Sequence, residues 1–261
     1  MGSAVLFKKE EGVGIVTLNR PEKYNALNLE LKKELLQVLQ SAGQDPEVRA
    51  VMLTGVGKAF CSGQDLTDHT DPNIAELAFG KSVREQYNPI VMAIAQMEKP
   101  VIAVVNGVAA GAGASLALAC DMRIISDQSR FVIAFNRIGL VPDTGASYFL
   151  PRLVGMGRAM ELAMTARDVE AEEAIQIGLA NKIVPQEQLE TEAFAWLKKL
   201  AAGPTKSTGM TKKALYKAME QSLEEALELE AQLQQQAGCS QDFLEGVSSF
   251  VEKRAPKFKG N

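Results

Sequence analysis

The sequence has few of the residues that most often carry metal and nucleophilic chemistry. Its 261 residues include a single histidine, His69, and three cysteines, at positions 61, 120 and 239. A three-histidine metal site is therefore excluded, and a serine–histidine or cysteine–histidine catalyst would have to use His69. Because residues 67–72 are mostly polar and typical of a solvated loop, we interpret His69 as an ordinary loop residue. Proton chemistry is therefore expected from a carboxylate, a lysine or a tyrosine.

The cysteines and the charge narrow the class of protein. The cysteines are too scattered for a disulfide framework and form no Cys-x-x-Cys pair, which favours a reducing, cytoplasmic location. The formal net charge of −4 argues against a nucleic-acid partner, since such proteins normally carry a basic patch. No group of His, Cys, Asp and Glu has metal-ligand spacing, so we expect no metal site.

Long apolar runs are scarce, with one exception. No apolar signal region precedes the charged residues 8–11. Residues 101–120 are twenty uncharged residues, long enough for a membrane span. However, the β-branched run 101–105 ends in the turn dipeptide Asn106-Gly107, and alanine- and glycine-rich sequence follows. We therefore predict a buried strand, a tight loop and a buried helix here, and no membrane partner.

The rest of the chain is ordinary globular sequence in which strand and helix patterns alternate. Hydrophobic residues make up 46% of the chain and charged residues 23%, ample for a core. Strands are predicted at 13–18 and 48–53, and Asn28 is typical of a helix N-cap. This order predicts an α/β fold with a mainly parallel sheet. Beyond Gly145 the chain is predicted to be mostly helical, with one long helix at 211–237 whose leucine stripe suits core packing or a subunit contact.

Several widespread catalytic motifs are missing. No Gly-x-Ser-x-Gly sequence supports a hydrolase serine. The segment Gly111-Ala112-Gly113 lacks the third glycine of a dinucleotide-binding loop, and Gly57-Lys58 lacks the remainder of a phosphate-binding loop. Any catalytic chemistry of this chain must therefore be carried by less specific patterns.

Two glycine-containing loops follow predicted strands, at residues 57–66 and 106–115. Open α/β sheets bind ligands at such loops, small residues let a substrate approach the backbone, and free N–H groups at a helix start attract negative charge. If the two loops face each other, they can supply two N–H donors to one oxygen, which is an oxyanion hole. Tight helix–strand packing is the more common reason for such glycines, so the loops alone do not decide.

A third candidate is Asp143, which follows Pro142 in an apolar context. Burial would raise its pKa from about 3.9 toward the range useful for proton transfer. An aspartate after proline is more often a turn residue or a helix cap, so this feature alone is weak as well.

These three pieces, in this order, resemble the crotonase, or enoyl-CoA hydratase/isomerase, superfamily. The resemblance extends over essentially the whole chain, and the ordered set is much more specific than any one motif. The motifs are Asn19-Arg20-Pro21 with Asn25-Ala26-Leu27, residues 59–66, residues 99–103 leading into Asn106-Gly107, residues 139–143, residues 245–247 and residues 250–254.

The resemblance implies a fold, a substrate class and an assembly. Residues 1–200 would form a spiral of ββα repeats with an acyl-CoA site, and residues 201–261 a helical region that builds trimers, often stacked into hexamers. The substrate would be an acyl-CoA, and no cofactor is implied because coenzyme A is part of the substrate.

The resemblance also implies roles for particular residues. The backbone N–H groups of Gln64 and Ala112 would hold the thioester oxygen while an enolate forms, and Asp143 would move the proton. Lys253 would reach the coenzyme A phosphates, and Phe250 would line the acyl pocket. The implied substrate-binding residues are Lys23, Tyr24, Ala26, Asp65, Leu66, Gly111, Ser115, Phe135, Phe250 and Lys253.

The departures from the family pattern favour one branch. The hydratases of the family resemble one another in using two glutamates, whose positions fall here on Ser115 and Phe135. Residues 60–66 together with residues 138–143 are most similar to the phenylacetate-pathway isomerases, which rearrange ring-epoxidised phenylacetyl-CoA to an oxepin-CoA and shift enoyl-CoA double bonds. The sequence therefore predicts an isomerase.

Three alternatives stay open. A hydratase would need Asp143 alone to activate water. A dehalogenase would use Asp143 as a nucleophile and a histidine as base, and His69 is poorly placed for that by sequence. A relative that binds acyl-CoA or RNA without catalysis would explain the missing glutamates, although the retained Asp143 and both loops speak against it.

Overall fold

Strands in two sheets form the centre of the structure, a computed structural model that describes residues 2–66 and 79–261. His69 and the loop predicted at 67–72 lie outside the described residues. In chain order the strands are β1 (Val5–Glu10), β2 (Val13–Leu18), β3 (Ala50–Gly55), β4 (Ala59–Cys61), β5 (Val101–Val105), β6 (Val108–Ala110), β7 (Met122–Ser126), β8 (Arg130–Val132), β9 (Asp168–Glu170) and β10 (Lys182–Val184).

Helices cover the sheets and make up most of the chain after Gly145, as predicted. They are α1 (Leu29–Gln44), α2 (Phe79–Ser82), α3 (Asn88–Ala95), α4 (Ala112–Ala119), α5 (Ala146–Val154), α6 (Met156–Thr165), α7 (Ala171–Gln176), α8 (Leu189–Ala201), α9 (Thr205–Ala218), α10 (Leu223–Gly238) and α11 (Gln241–Val251). A π-helical turn, Val83–Tyr87, joins α2 to α3.

The larger sheet has six strands in the order β1-β2-β3-β5-β7-β10. β1 and β2 form an antiparallel hairpin, and the other pairs are parallel. Val16 and Leu18 of β2 pack into one hydrophobic cluster, and Val13 and Ile15 into a second one that includes α8. Because both faces of the sheet are covered, its parallel strands are apolar almost throughout.

The smaller sheet has four strands in the order β4-β6-β8-β9. Successive strand pairs β3-β4, β5-β6 and β7-β8 each give one strand to each sheet before the chain continues into helices. This is a repeating ββα spiral, and it confirms the predicted α/β fold with a helical C-terminal region. The predicted boundary at residue 200 falls at the end of α8 and stays a prediction.

The uncharged segment 101–120 folds as strand β5, a turn, the short strand β6 and helix α4, so the predicted loop contains a second strand. β5 is buried at every position, and every residue of α4 is buried as well. Burial inside the protein explains its lack of charge. Within the described part of the chain, no helix is long and apolar enough to cross a membrane.

The single long helix predicted at 211–237 is wrong, because the chain forms two helices, α9 and α10. Ser222 caps α10 by accepting from the Glu225 N–H at 3.3 Å, and the Glu225 carboxylate accepts from the Ser222 N–H at 2.8 Å. This reciprocal capping box starts a new helix. The leucine stripe continues across the break, and much of it is exposed, including Leu223 at 76%.

Candidate active site

The two predicted loops lie against each other, and glycine permits the contact. Gly63 has a φ of +97°, and a Cβ atom there would lie 2.8 Å from the backbone oxygen of Ala110. A Cβ atom at Gly113 would lie 2.2 Å from the backbone oxygen of Cys61. Since backbone atoms cannot rotate aside as a side chain would, any other residue would push the loops apart.

The backbone N–H groups of Gln64 and Ala112 lie where the two loops meet. The neighbours of Gln64 pair with Leu27, since Leu27 N donates to Gly63 O at 2.7 Å and Asp65 N donates to Leu27 O at 3.2 Å. Ala112 is the first residue of α4, where helix N–H groups have no partner within the helix. Among residues 2–66 and 79–261, neither the Gln64 N–H nor the Ala112 N–H donates to a protein acceptor.

Gln64 and Ala112 line one cavity of about 260 Å³. Its walls are mostly apolar and include Phe135, Leu140 and the buried ring of Tyr87. A pocket of this kind, with a small number of placed polar groups, is typical of a site for a small apolar substrate group. Two donors in such surroundings act more strongly than they would in water.

Asp143 is the only carboxylate among the described residues that line this cavity. Burial raises its pKa above the ordinary aspartate value, because the charged form loses hydration. Two smaller effects oppose the rise. The Thr144 hydroxyl donates to Asp143 Oδ1 at 2.8 Å, and the positive charge of Lys32 favours the carboxylate. The raised pKa brings the group closer to the range of a proton-transfer base.

The backbone beside Asp143 is held in an unusual conformation. Thr144 has a φ of +53° and Gly145 a φ of +84°, so two consecutive residues are left-handed. A threonine in this region is strained, and such strain persists only where the surroundings enforce it. Thr144 is buried, and α5 begins just after Gly145. The turn therefore fixes the position of Asp143 at the cavity wall.

Comparison with known proteins decides the family. The sequence profile of the family described as enoyl-CoA hydratase/isomerase matches residues 8–261. The chain belongs to the enoyl-CoA hydratase/isomerase family. The predicted resemblance to the crotonase superfamily is confirmed, and the chain is an enzyme of this acyl-CoA-converting family.

Two relatives of this chain are named for different reactions. The chain is 43% identical to the 1,2-epoxyphenylacetyl-CoA isomerase of Escherichia coli, with 98% of each chain covered. It is 45% identical to a probable enoyl-CoA hydratase of Rhodobacter capsulatus, again with 98% of each covered. Similarity therefore supports the enoyl-CoA hydratase/isomerase class and leaves the choice between the two reactions to the site.

A solved structure shares the fold of this family member throughout. The crystal structure of a putative enoyl-CoA hydratase/isomerase from Mycobacterium abscessus is 38% identical, with a TM-score of 0.94. The alignment covers 99% of this chain and 100% of that one. The spiral core and the C-terminal helices therefore both belong to the shared fold.

The structure brings six of the predicted site residues of this family member together. Gln64, Ala112 and Asp143 share the cavity with three predicted substrate-binding residues. These three are Leu66, Gly111 and Phe135. The gathered residues come from separate repeats of the spiral, so the fold, and not the local sequence, creates the site.

Another group of predicted residues lies beside the cavity. Asp65 is buried and forms a salt bridge with Arg20 at 2.9 Å, and Arg20 also donates to the backbone oxygen of Ala26 at 2.6 Å. Lys23 and Tyr24 are exposed next to them, and the backbone oxygen of Tyr24 accepts from Ser62 N at 3.0 Å. Residues 23–26 therefore run along the 57–66 loop, held there by the buried ion pair.

Three more predicted substrate-binding residues, in addition to the four beside the cavity, do not line it in the described part of the chain. Ser115 is fully buried, and its hydroxyl donates to Gly111 O at 3.2 Å inside α4. Phe250 is 84% exposed near the end of α11, and Lys253 follows that helix with a φ of +55°. Within one copy of the chain, Phe250 and Lys253 therefore do not line this site.

Two residues at the site were not predicted from the sequence. The Tyr87 hydroxyl donates to Gln64 Oε1, and Lys32 donates to the same oxygen at 3.2 Å. The available signal for Lys32 was a charged residue on the apolar face of α1, beside Leu31 and Leu35. For Tyr87, the sequence did not show whether its helix borders the cavity.

A thiol near the loops is not activated. Cys61 is buried within the 57–66 segment, and burial raises its pKa to about 12. Nucleophilic thiols need a lowered pKa, so Cys61 is a packing residue at neutral pH. Asp143 is left as the group best suited to proton transfer.

Proposed function

We propose that this enzyme is an isomerase that shifts a double bond, or rearranges an epoxidised ring, in an acyl-CoA. The N–H groups of Gln64 and Ala112 hold the thioester oxygen. Asp143 removes a proton from the carbon next to the thioester, which gives an enolate. The same carboxyl then returns the proton to a different carbon. For a 3-enoyl-CoA, a C2–H bond breaks, a C4–H bond forms, and the product is a 2-enoyl-CoA.

Asp143, the one carboxylate among the described residues that line the cavity, carries this proposal. A 1,3-proton shift needs one base that becomes the acid, whereas addition of water by the two-glutamate scheme needs a second carboxylate. The positions expected to hold those glutamates are Ser115, away from the cavity, and Phe135, an apolar wall. The proposed reaction uses no cofactor and no metal.

The two N–H donors supply the other half of the chemistry. Each hydrogen bond of an oxyanion hole lowers the barrier by about 3–4 kcal/mol, because the donor is already aimed at the charge that develops. Without this stabilisation, Asp143 would be far too weak a base for a carbon acid. The relative named as a 1,2-epoxyphenylacetyl-CoA isomerase supports a ring-epoxidised phenylacetyl-CoA as a candidate substrate.

A hydratase is the second candidate, and the relative named as a probable enoyl-CoA hydratase favours it. Asp143 would then activate a water molecule without help from a second carboxylate. A non-catalytic acyl-CoA- or RNA-binding protein is the alternative outside enzymes, and it predicts no turnover of any acyl-CoA.

We also propose that the chain works as a trimer or a stack of two trimers. Exposed apolar residues on the C-terminal helices support contact between copies, among them Phe250 and Val251, which is 73% exposed. A neighbouring copy would then bring Phe250 and Lys253 to the acyl-CoA. The proposal keeps the cytoplasmic location expected from the sequence.

A product screen tests the proposed reaction. The enzyme is offered a 3-enoyl-CoA, a 2-enoyl-CoA and ring-epoxidised phenylacetyl-CoA, and products are separated and weighed by mass spectrometry. We expect conversion of the first or third compound at unchanged mass. If the 2-enoyl-CoA rapidly gained the mass of one water and no substrate isomerised, the enzyme would be a hydratase and the proposed isomerase would be wrong.

A further inference from the structure

A lysine lies behind the cavity on a helix face that is otherwise apolar. Helix α1 buries Leu31, Leu35 and Leu39, and Lys32 is buried with them at 4% exposed. An ammonium group loses hydration there, and an apolar side chain of similar length would pack without that loss. The burial of this charge must therefore be offset by partners of the ammonium group, and two of these partners, Gln64 and Tyr87, line the cavity.

Lys32 contacts the side chain of Gln64 and the ring of Tyr87. Lys32 Nζ lies 3.2 Å from Gln64 Oε1 and 4.5 Å from the centre of the Tyr87 ring. The Tyr87 hydroxyl donates to the same Gln64 oxygen. Gln64 Nε2 donates to Asp65 O at 3.1 Å. The amide of Gln64 is therefore held at both ends.

The peptide group that carries the Gln64 N–H needs such restraint. It follows Gly63, whose φ of +97° belongs to a region that is easily accessible only to glycine. On one side, Leu27 N holds Gly63 O at 2.7 Å. On the other side, the peptide continues into Gln64, whose side chain Lys32 and Tyr87 hold. The orientation of this N–H therefore depends on both anchors.

Lys32 itself is not among the described residues that line the cavity, whereas Tyr87 and Gln64 are. Tyr87 ends the π-helical turn Val83–Tyr87, a type of irregularity that is frequent at functional sites. A cation over an aromatic ring is attracted to its face, so Lys32 and Tyr87 stabilise each other's position. Lys32 can thus influence a bound substrate through Gln64 and Tyr87 and by its charge.

We infer that Lys32 is a positioning residue of the oxyanion hole, which together with Tyr87 aims the Gln64 backbone N–H at the thioester oxygen. Its positive charge also favours the negative charge that develops on that oxygen. The inference rests on the proposed role of the Gln64 N–H in binding the thioester.

Kinetics of three variants give the first test. Lys32→Met removes the charge and the donor at similar length, and Lys32→Gln keeps a donor without the charge. We expect Lys32→Met to lower kcat by about 10- to 100-fold through misplacement of the donor, with little change in KM. The kcat of Lys32→Gln should lie between those of Lys32→Met and the wild type, and Lys33→Met, on the exposed neighbour, should match the wild type. The melting temperature of each variant is measured beside the kinetics, so that a loss of stability is separated from a loss of kcat.

Infrared spectroscopy gives a second readout that a purely structural role would not change. Butanoyl-CoA labelled with ¹³C at the thioester carbonyl is a saturated probe that cannot isomerise. We expect its carbonyl stretch to fall on binding to the wild type, and part of that shift to be lost in Lys32→Met and less in Lys32→Gln.

The outcomes separate this inference from the proposed function. A full carbonyl shift in Lys32→Met, whether kcat is retained or falls together with the melting temperature, would show that Lys32 does not orient the donor. If Lys32→Met does not fold, Lys32→Gln decides by the same comparison. Absence of any shift in the wild type would instead contradict the proposed oxyanion hole.

Discussion

Asp143→Asn is expected to lower kcat for isomerisation by about 10²- to 10⁴-fold, the usual contribution of a positioned base. Asparagine has nearly the shape of aspartate and can still accept from the Thr144 hydroxyl, which lies 2.8 Å from Asp143 Oδ1. It cannot take up a proton from carbon. Binding of an acyl-CoA, measured by calorimetry with saturated butanoyl-CoA, should therefore change little while turnover falls.

The stability of Asp143→Asn supplies the control for misfolding. Because burial raises the pKa of Asp143, the native state binds this proton more tightly than the unfolded state. The stability from the neutral carboxyl is fully present below the unfolded pKa of about 3.9, and it is lost as pH rises through the folded pKa. The variant should therefore melt no lower than the wild type at neutral pH.

A matched charge removal completes this control. Asp127→Asn removes an exposed aspartate and should leave kcat unchanged. If Asp143→Asn retained near-normal turnover in the same assay, Asp143 could not be the base, and the proposed mechanism would be wrong.

Gly63→Ala is expected to lower kcat by about 10²- to 10³-fold, the usual effect of losing one oxyanion-hole donor. Its new Cβ atom would lie 2.8 Å from Ala110 O and 3.4 Å from Ala112 N. Both contacts are with the second loop, so relief of the clash must separate the Gln64 and Ala112 donors. The infrared shift of bound ¹³C-butanoyl-CoA should shrink along with kcat.

Gly155→Ala is the matched control for backbone strain. Gly155 has a φ of +79°, and a Cβ atom there would meet nothing within 4 Å. With a ψ of 157°, this residue adopts a conformation that is essentially restricted to glycine, so alanine there costs about 1–3 kcal/mol without pushing the two loops apart. It should lower the melting temperature and leave kcat near the wild-type value. Equal losses of kcat in both variants would mean that strain, and not donor geometry, explains the Gly63 result.

Local patterns were sufficient to predict much of the fold. The alternation at 13–18 predicted β2 with the bounds that the structure shows, and Asn28 caps α1 through Leu31 N at 2.9 Å. The helix break before α10 was missed because the leucine stripe continues across it. The pattern Ser222-x-x-Glu225 was visible in the sequence and was sufficient to predict the new helix start.

Only those residues of the candidate site that belong to a sequence motif could be predicted. Gln64, Ala112 and Asp143 come from an ordered set of motifs, and the spiral places all three at one cavity. Lys32 and Tyr87 belong to no motif. Their contact with Gln64 depends on how α1 packs beside the turn Val83–Tyr87, which is a tertiary arrangement that no local pattern encodes.

The stereochemistry of proton transfer tests the central claim that one carboxylate both removes and returns the proton. A 3-enoyl-CoA with deuterium in one known configuration at C2 is converted, and separately the unlabelled substrate is converted in deuterated water. NMR of the products shows which C2 hydrogen leaves and whether the deuterium from C2 reappears at C4. It also shows on which face of C4 the label enters, whether that label comes from C2 or from the solvent. The account predicts that both events occur on the same face of the acyl chain, the face that meets Asp143. Removal from one face and delivery to the other would require two separate groups and would contradict it.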